Sequence, residues 1–213
     1  MKKLVIIGSG GFSKQVIEIV EKINDQCKTY DLIGLIDDNK SFIGEKILNY
    51  EVIGTTEYLY EYSQNNEVYG VIAIANAEVK KQLSNKLSLV KWVNLIHPDA
   101  IITNYINMGI GNIICGGVII NPDCTIHNHC HINIGSTFGH DVTLMDFITV
   151  MPGCKISGNV TLENSSMIGT GSTIIQGITI KEKSVLGAGA VVINHIDKQS
   201  LYVGVPAKKV KEL

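Results

Sequence analysis

Every sixth residue from Ile102 is apolar: Ile102, Met108, Ile114, Ile120, Ile126, Ile132, Phe138, Leu144, Val150, Ile156, Leu162, Ile168, Ile174, Ile180, Leu186 and Val192. No insertion breaks the register. Two places before them stands a small or apolar residue in most hexads, as at Ala100, Val118, Cys124, Cys130, Ser136, Val142, Cys154, Ser166, Ser172, Ser184 and Ala190. Apolar residues make up 45% of the chain, so an unbroken run of this length is improbable by several orders of magnitude. A period of six is neither helical nor simple strand alternation. It is the hexapeptide repeat of a parallel β-helix, in which each hexad supplies one short strand and a corner. Three hexads close a triangular coil, and the run predicts about five coils.

Before His97-Pro98 the pattern is different. LVII (4–7) reads as a buried strand followed by the glycine turn 8–11, and residues 12–24 carry Val16, Ile17, Ile19, Val20 and Ile23 at helical spacing. DLIGLIDD (31–38) is a second strand ending in two acids. Helices are expected over 55–64 and 77–88, around a further strand at GVIAIA (70–75). This alternation predicts an α/β domain with a small parallel sheet of three or four strands. The expected organisation is a Rossmann-like domain over 1–95 and an all-β parallel β-helix with a C-terminal tail over 96–213.

Composition narrows the function classes. A net charge of −2 and the absence of a Lys/Arg block give no nucleic-acid or membrane surface. The apolar run after Lys2-Lys3 ends at Gly8, too short for a signal-peptide core, and no stretch approaches a membrane span. The five cysteines form no CxxC pair, so we expect free thiols in a soluble, cytoplasmic protein. Cys124, Cys130 and Cys154 fall in the small inward slot and read as core filler. Cys115 lies outside it.

The histidines are the groups that titrate near neutrality. His97 stands at the domain junction and His195 lies past the last repeat. His127, His129 and His131 alternate along one hexad, which invites a metal reading. Alternate residues on one strand lie about 7 Å apart, too far for adjacent ligands, and the residues one coil away are Met145, Phe147 and Thr149. No metal is expected there, only a solvated or interface patch. His140 sits two places after the inward Phe138, preceded by Gly139 and followed by Asp141. Spacing alone admits two readings of it: an ordinary polar corner, or a base oriented by the adjacent acid.

Several segments together resemble the NeuD/PglD-like sugar acetyltransferases: GSGGFSKQV (8–16), LIDD (35–38), VIAIANAEVKKQL (71–83), VNLIHPDA (93–100), GHDV (139–142), LGAGAVV (186–192) and YVGVPAKKV (202–210). The resemblance implies a left-handed β-helix and a homotrimer. It implies acetyl-CoA as co-substrate, a small-molecule sugar partner and a role in bacterial surface-glycan biosynthesis. The implied reaction is direct N-acetylation of a UDP- or dTDP-linked 4-amino-deoxy sugar, with His140 as general base and Asp141 as its acid. Carried over residue by residue, substrate contacts fall on Gly10, Gly11, Phe12, Asp37, Asp38 and Ala75. Coenzyme contacts fall on Thr149, Gly158, Thr170, Gly187, Ala188, Gly189 and Lys208, with Lys209 beside it. The chain departs from relatives at Phe12 and Thr149, where some carry His, at Ala75, where some carry Gly, and at Asp141, where Glu is frequent. Ser13 stands where a GxGxxG motif would have its third glycine. The rival readings are sugar O-acetylation and a non-catalytic β-helix scaffold. NAD-dependent redox chemistry is disfavoured by the short first domain and the imperfect glycine motif.

Overall fold

The computed structural model describes residues 1–213. The chain divides into two compact units, Met1–Pro98 and Asp99–Leu213.

In the first unit the elements run β1 (Lys2–Ile7), α1 (Gly11–Gln26), β2 (Tyr30–Ile36), β3 (Lys46–Ile47), β4 (Tyr50–Gly54), α2 (Thr56–Asn65), β5 (Tyr69–Ile72), α3 (Ala77–Lys86) and β6 (Lys91–Trp92). The sheet order is β3-β4-β2-β1-β5-β6. Only β3 pairs antiparallel, so five strands are parallel rather than three or four. β4 and β6 escape the sequence reading because each is short and carries no clear alternation. Val5, Ile7, Ile36, Leu59, Ile72, Leu83 and Leu87 pack into one core between sheet and helices. The chain steps outward from β1 to β2 and β4, then returns to the other side of β1 at β5. In sheets of this kind, that reversal opens a crevice at the carboxyl ends of the strands.

The second unit is a left-handed parallel β-helix. Strands stack in register 18 residues apart on three faces, as in Ile113–Ile114 on His131–Ile132, Ile119–Ile120 on Thr137–Phe138 and Thr125–Ile126 on Thr143–Leu144. The sixth-residue series points inward, and from Ile114 onward every member is buried. Three places after each inward residue from Met108 to Leu186 the chain turns through the left-handed region. Asp123, Asp141 and Asn159 form one such column, and Gly117, Gly135, Gly153, Gly171 and Gly189 another. Asp, Asn and Gly are the residues that accept this conformation most readily. The third column holds His129, Phe147, Ser165 and Lys183 after Gly111.

The small slot does more than fill space. Its polar side chains donate to the carbonyl 15 residues on: Cys124 to Gly139, Cys130 to Met145, Ser136 to Met151, Ser166 to Lys181 and Ser172 to Gly187. Corner carbonyls that miss the strand ladder are thereby satisfied inside the prism. Burial pushes the Cys124 and Cys154 thiols up, which keeps them protonated as donors. Phe138 is 2% exposed and is the bulkiest inward residue of the series. Phe138→Ala is expected to destabilise the fold by about 3–5 kcal/mol in denaturant unfolding, because adjacent rungs are held apart by their own hydrogen bonds and cannot close the void.

The candidate active site

His140 and Asp141 occupy the corner between strands Thr137–Phe138 and Thr143–Leu144. Asp141 adopts φ 60°, and its Oδ2 lies 2.6 Å from His140 Nδ1. A carboxylate only accepts, so the bond places hydrogen on Nδ1 and leaves Nε2 as the basic nitrogen. Both side chains are more than half exposed, at 60% and 56%, so the pair opens to an incoming substrate.

A glycine one coil away sets the ring's position. The Asn159 N–H donates to the His140 carbonyl and the Gly177 N–H to that of Gly158, which stacks residues 140, 158 and 176 in one corner column. A Cβ built on Gly158 would stand 2.8 Å from His140 Cε1 and Nε2. The imidazole thus fills the volume that a side chain at 158 would need. Gly139 serves the backbone: a Cβ there would meet Gly158 N at 2.4 Å.

The other residues expected at the coenzyme divide. Thr170 and Ala188 share a different corner, where the Gly189 N–H donates to the Thr170 carbonyl. Gly189 (φ 68°) is a left-handed corner residue, and the space beside Gly187 is taken by Val203 Cγ1, 2.7 Å from where its Cβ would stand. Thr149, expected at the coenzyme, is buried beside His131 rather than lining an open groove. In the terminal hairpin Lys208 is exposed, while Lys209 pairs with Glu212 at 2.6 Å.

The HNHCH stretch is not a single strand. His129 is a corner residue (φ 54°) stacked on Phe147 at 5.5 Å between ring centroids, and His131 opens the next strand. His129 and His131 are both buried, which removes the solvated alternative of the expected solvated or interface patch.

In the first unit, the crevice at the carboxyl ends of β1, β2 and β5 holds a cavity of about 370 Å³ lined by Gly8, Asp37, Asp38, Thr56, Gln82 and Lys86 among others. Its volume suits a small-molecule site. Gly8 (φ 104°) must be glycine, since a Cβ would meet Ile74 Cγ1 at 2.7 Å. Gly10 begins α1 with no side-chain cap, whereas Thr55 and Asn76 cap α2 and α3. The start of α1 thus follows the glycine turn without a side-chain oxygen over it. Ser13, in place of a third glycine, is buried and donates to the Gly10 carbonyl at 2.6 Å.

The two acids work within the fold. Asp37 accepts from Ser9 N and Oγ at 3.0 and 2.6 Å and from the Asn39 N–H at 2.9 Å. Burial pushes its carboxyl up, but the Ser9 and Asn39 hydrogen bonds outweigh that and hold it below the usual aspartate value. Asp38 accepts from Thr56 N and Oγ1, both at 2.8 Å, at the start of α2. Gly10, Gly11 and Ala75 are exposed and Phe12 is half-buried. None of these four lines the cavity. Thr56, Gln82 and Lys86 do line it; Gln82 falls in the 71–83 segment, but none of the three was expected as a contact, because α2 and α3 reach the crevice only through the strand order.

Residues 3–87 match the family model described as the PglD N-terminal domain. GDP-perosamine N-acetyltransferase of Escherichia coli O157:H7 is 29% identical over 167 residues, which covers 77% of this chain and 74% of the relative. The chain is thus similar to the NeuD/PglD-like sugar acetyltransferases, and its first unit matches their N-terminal domain. Among solved members, the perosamine N-acetyltransferase of Caulobacter crescentus, a histidine-to-asparagine mutant in complex with CoA and GDP-perosamine, aligns with a TM-score of 0.90. It is 28% identical, over 100% of this chain and 98% of that one. The acetyltransferase domain of PglB from Neisseria gonorrhoeae, in complex with acetyl coenzyme A, also aligns with a TM-score of 0.90, at 29% identity over 98% of this chain and 99% of that one. The His140 corner of the second unit and the crevice of the first are the two candidate sites. No helix is long and apolar enough to cross a membrane.

Proposed function

We propose that this chain transfers an acetyl group from acetyl-CoA to the amino group of a nucleotide-linked sugar. The single observation that carries the reading is the exposed His140 imidazole, held through Nδ1 by Asp141 and seated on Gly158. Both E. coli and C. crescentus relatives are named for N-acetylation of perosamine, a GDP-linked sugar in the named complex. The acceptor panel therefore includes GDP-linked sugars alongside the UDP- and dTDP-linked ones expected from the sequence.

In the proposed mechanism the acceptor amine attacks the thioester carbonyl, and His140 Nε2 takes the proton that the nitrogen loses. The C–N bond forms as the carbonyl becomes an oxyanion. Backbone N–H groups of the coil, with Gly158 nearest the ring, are placed to stabilise that charge. Collapse breaks the C–S bond, and the proton on Nε2 returns to the departing thiolate. Asp141 keeps the ring in one tautomer and stabilises the imidazolium. The acceptor's own amine is the nucleophile, so no enzyme Ser or Cys is required.

The glycine turn before α1 would take the diphosphate, and the crevice beside Asp37 and Asp38 the nucleoside. In this reading the prisms associate as a homotrimer, since Ile101, Ile119, Ile134, Ile175 and Ile193 leave apolar side chains exposed on the β-helix. Sedimentation at several concentrations checks the trimer.

The functional test is a panel of UDP-, dTDP- and GDP-linked amino sugars with acetyl-CoA, followed by thiol release and product mass spectrometry. An amide product supports the reading. An ester product would move the chain to O-acetylation, and failure to bind coenzyme would make it a scaffold. Asp141→Asn retains the left-handed corner but removes the charge. We expect turnover to fall about tenfold, a modest loss because the pair is largely exposed and screened. Steady-state kinetics checks it.

A further inference from the structure

Two side chains of opposite charge share one hydroxyl in the crevice of the first unit. Asp38, just past β2, accepts from Thr56 Oγ1 at 2.8 and 3.0 Å. Lys86, in the last turn of α3, places Nζ 3.3 Å from the same Oγ1 and 3.0 Å from Glu57 Oε2. Asp38, Thr56 and Lys86 all line the cavity. We infer that this pair selects the base of the nucleotide, admitting uracil, thymine or guanine and rejecting cytosine and adenine. The inference rests on the reading above that the crevice takes the nucleoside.

A carboxylate only accepts and an ammonium only donates, so chemistry fixes the order of donor and acceptor on this wall. The Thr56 hydroxyl holds both ends, donating to Asp38 and accepting from Lys86. The ammonium carries a third N–H, and the carboxylate has lone pairs beyond those that Thr56 uses. Uracil, thymine and guanine present a ring carbonyl next to a ring N–H, which meets a donor beside an acceptor. Cytosine and adenine present an amino group next to a bare ring nitrogen, so their polarity is reversed and both contacts are lost. Ile7, Ile36, Ile74 and Leu83 supply apolar wall against which a flat ring packs. Gln82 also lines the cavity, but an amide both donates and accepts and can turn to suit either base. The Lys86–Glu57 pair is exposed on both sides, at 43% and 63%, and stabilises the fold little. Its effect is to hold Nζ beside Thr56.

The test is calorimetric titration of the whole chain, and of its Lys86→Met and Lys86→Arg variants, with UDP, GDP, CDP and ADP. The four share ribose and diphosphate, so differences among them report the base. We expect the wild-type protein to bind UDP and GDP about 10- to 100-fold tighter than CDP and ADP, the scale of one hydrogen bond to a charged group. Lys86→Met should remove most of that preference by weakening UDP and GDP alone, and Lys86→Arg, which keeps a donor, should retain it. Wild-type binding of CDP or ADP as tight as that of UDP overturns the inference, and that comparison needs no variant to fold. A loss in Lys86→Met spread evenly over all four overturns it too, since Lys86 would then serve the phosphates. Both results leave acetyl transfer and the placement of the nucleoside standing. If none of the four binds, the placement of the nucleoside falls and the inference with it, while titration of the same sample with acetyl-CoA tests the coenzyme half separately.

Discussion

Replacement of His140 by alanine should lower turnover by about 10²- to 10⁴-fold while the β-helix and coenzyme binding are retained. That range is the usual contribution of a positioned general base. The side chain is exposed at a corner, so its removal opens no cavity in the prism and costs little stability. The stacked strands and the slot hydrogen bonds hold the corner without it. The distinguishing measurement is paired: single-turnover acetyl transfer for the loss, and thermal shift with acetyl-CoA for intact binding. Full activity in His140→Ala would refute the assignment of the base. A loss accompanied by unfolding would point to a structural corner instead, so circular dichroism belongs in the same experiment.

Gly158→Ala should be nearly as damaging, although the substitution touches neither member of the pair. The added Cβ would stand 2.8 Å from two atoms of the imidazole, closer than real Cβ contacts come, so the ring must swing away. Gly158 does not occupy the left-handed region, so alanine itself imposes no backbone strain there. A shift of about 1 Å in a catalytic group can cost about 10²-fold, and we expect a loss of that order in kcat with a folded protein. Wild-type kinetics in this variant would show that the ring's seat on Gly158 is immaterial to the reaction. Read beside Asp141→Asn, the variant separates placement of the ring from its electrostatics.

Much of this site was legible in the chain. The hexad register identified Phe138 as the inward member and exposed His140 and Asp141 as residues the core does not require. The reading was less complete where a role depended on an unlike neighbour. The slot cysteines appeared as filler, whereas each donates to a carbonyl 15 residues on, a partner visible only once the coil is closed. HNHCH read as one face of one strand, because nothing in its composition announces that His129 takes a corner. Asp37 and Asp38 read as ligand contacts, and in the fold their oxygens first organise the Ser9 turn and the start of α2. Short strands such as β6 carry too few residues to show a period at all.

By itself, the sequence determined the two-part architecture, the β-helix and its register, since a period of six repeated this often has one economical way to bury its apolar row. It also placed a histidine and an acid at an unburied corner. Only the tertiary structure decided what that corner can do. Stacking brings residues 18 apart into contact, so the seat of the His140 ring on Gly158 arises between coils, while the folded corner sets its tautomer through Asp141. Local pattern encodes which way a side chain points; its partners are set by the coil that lands on top of it.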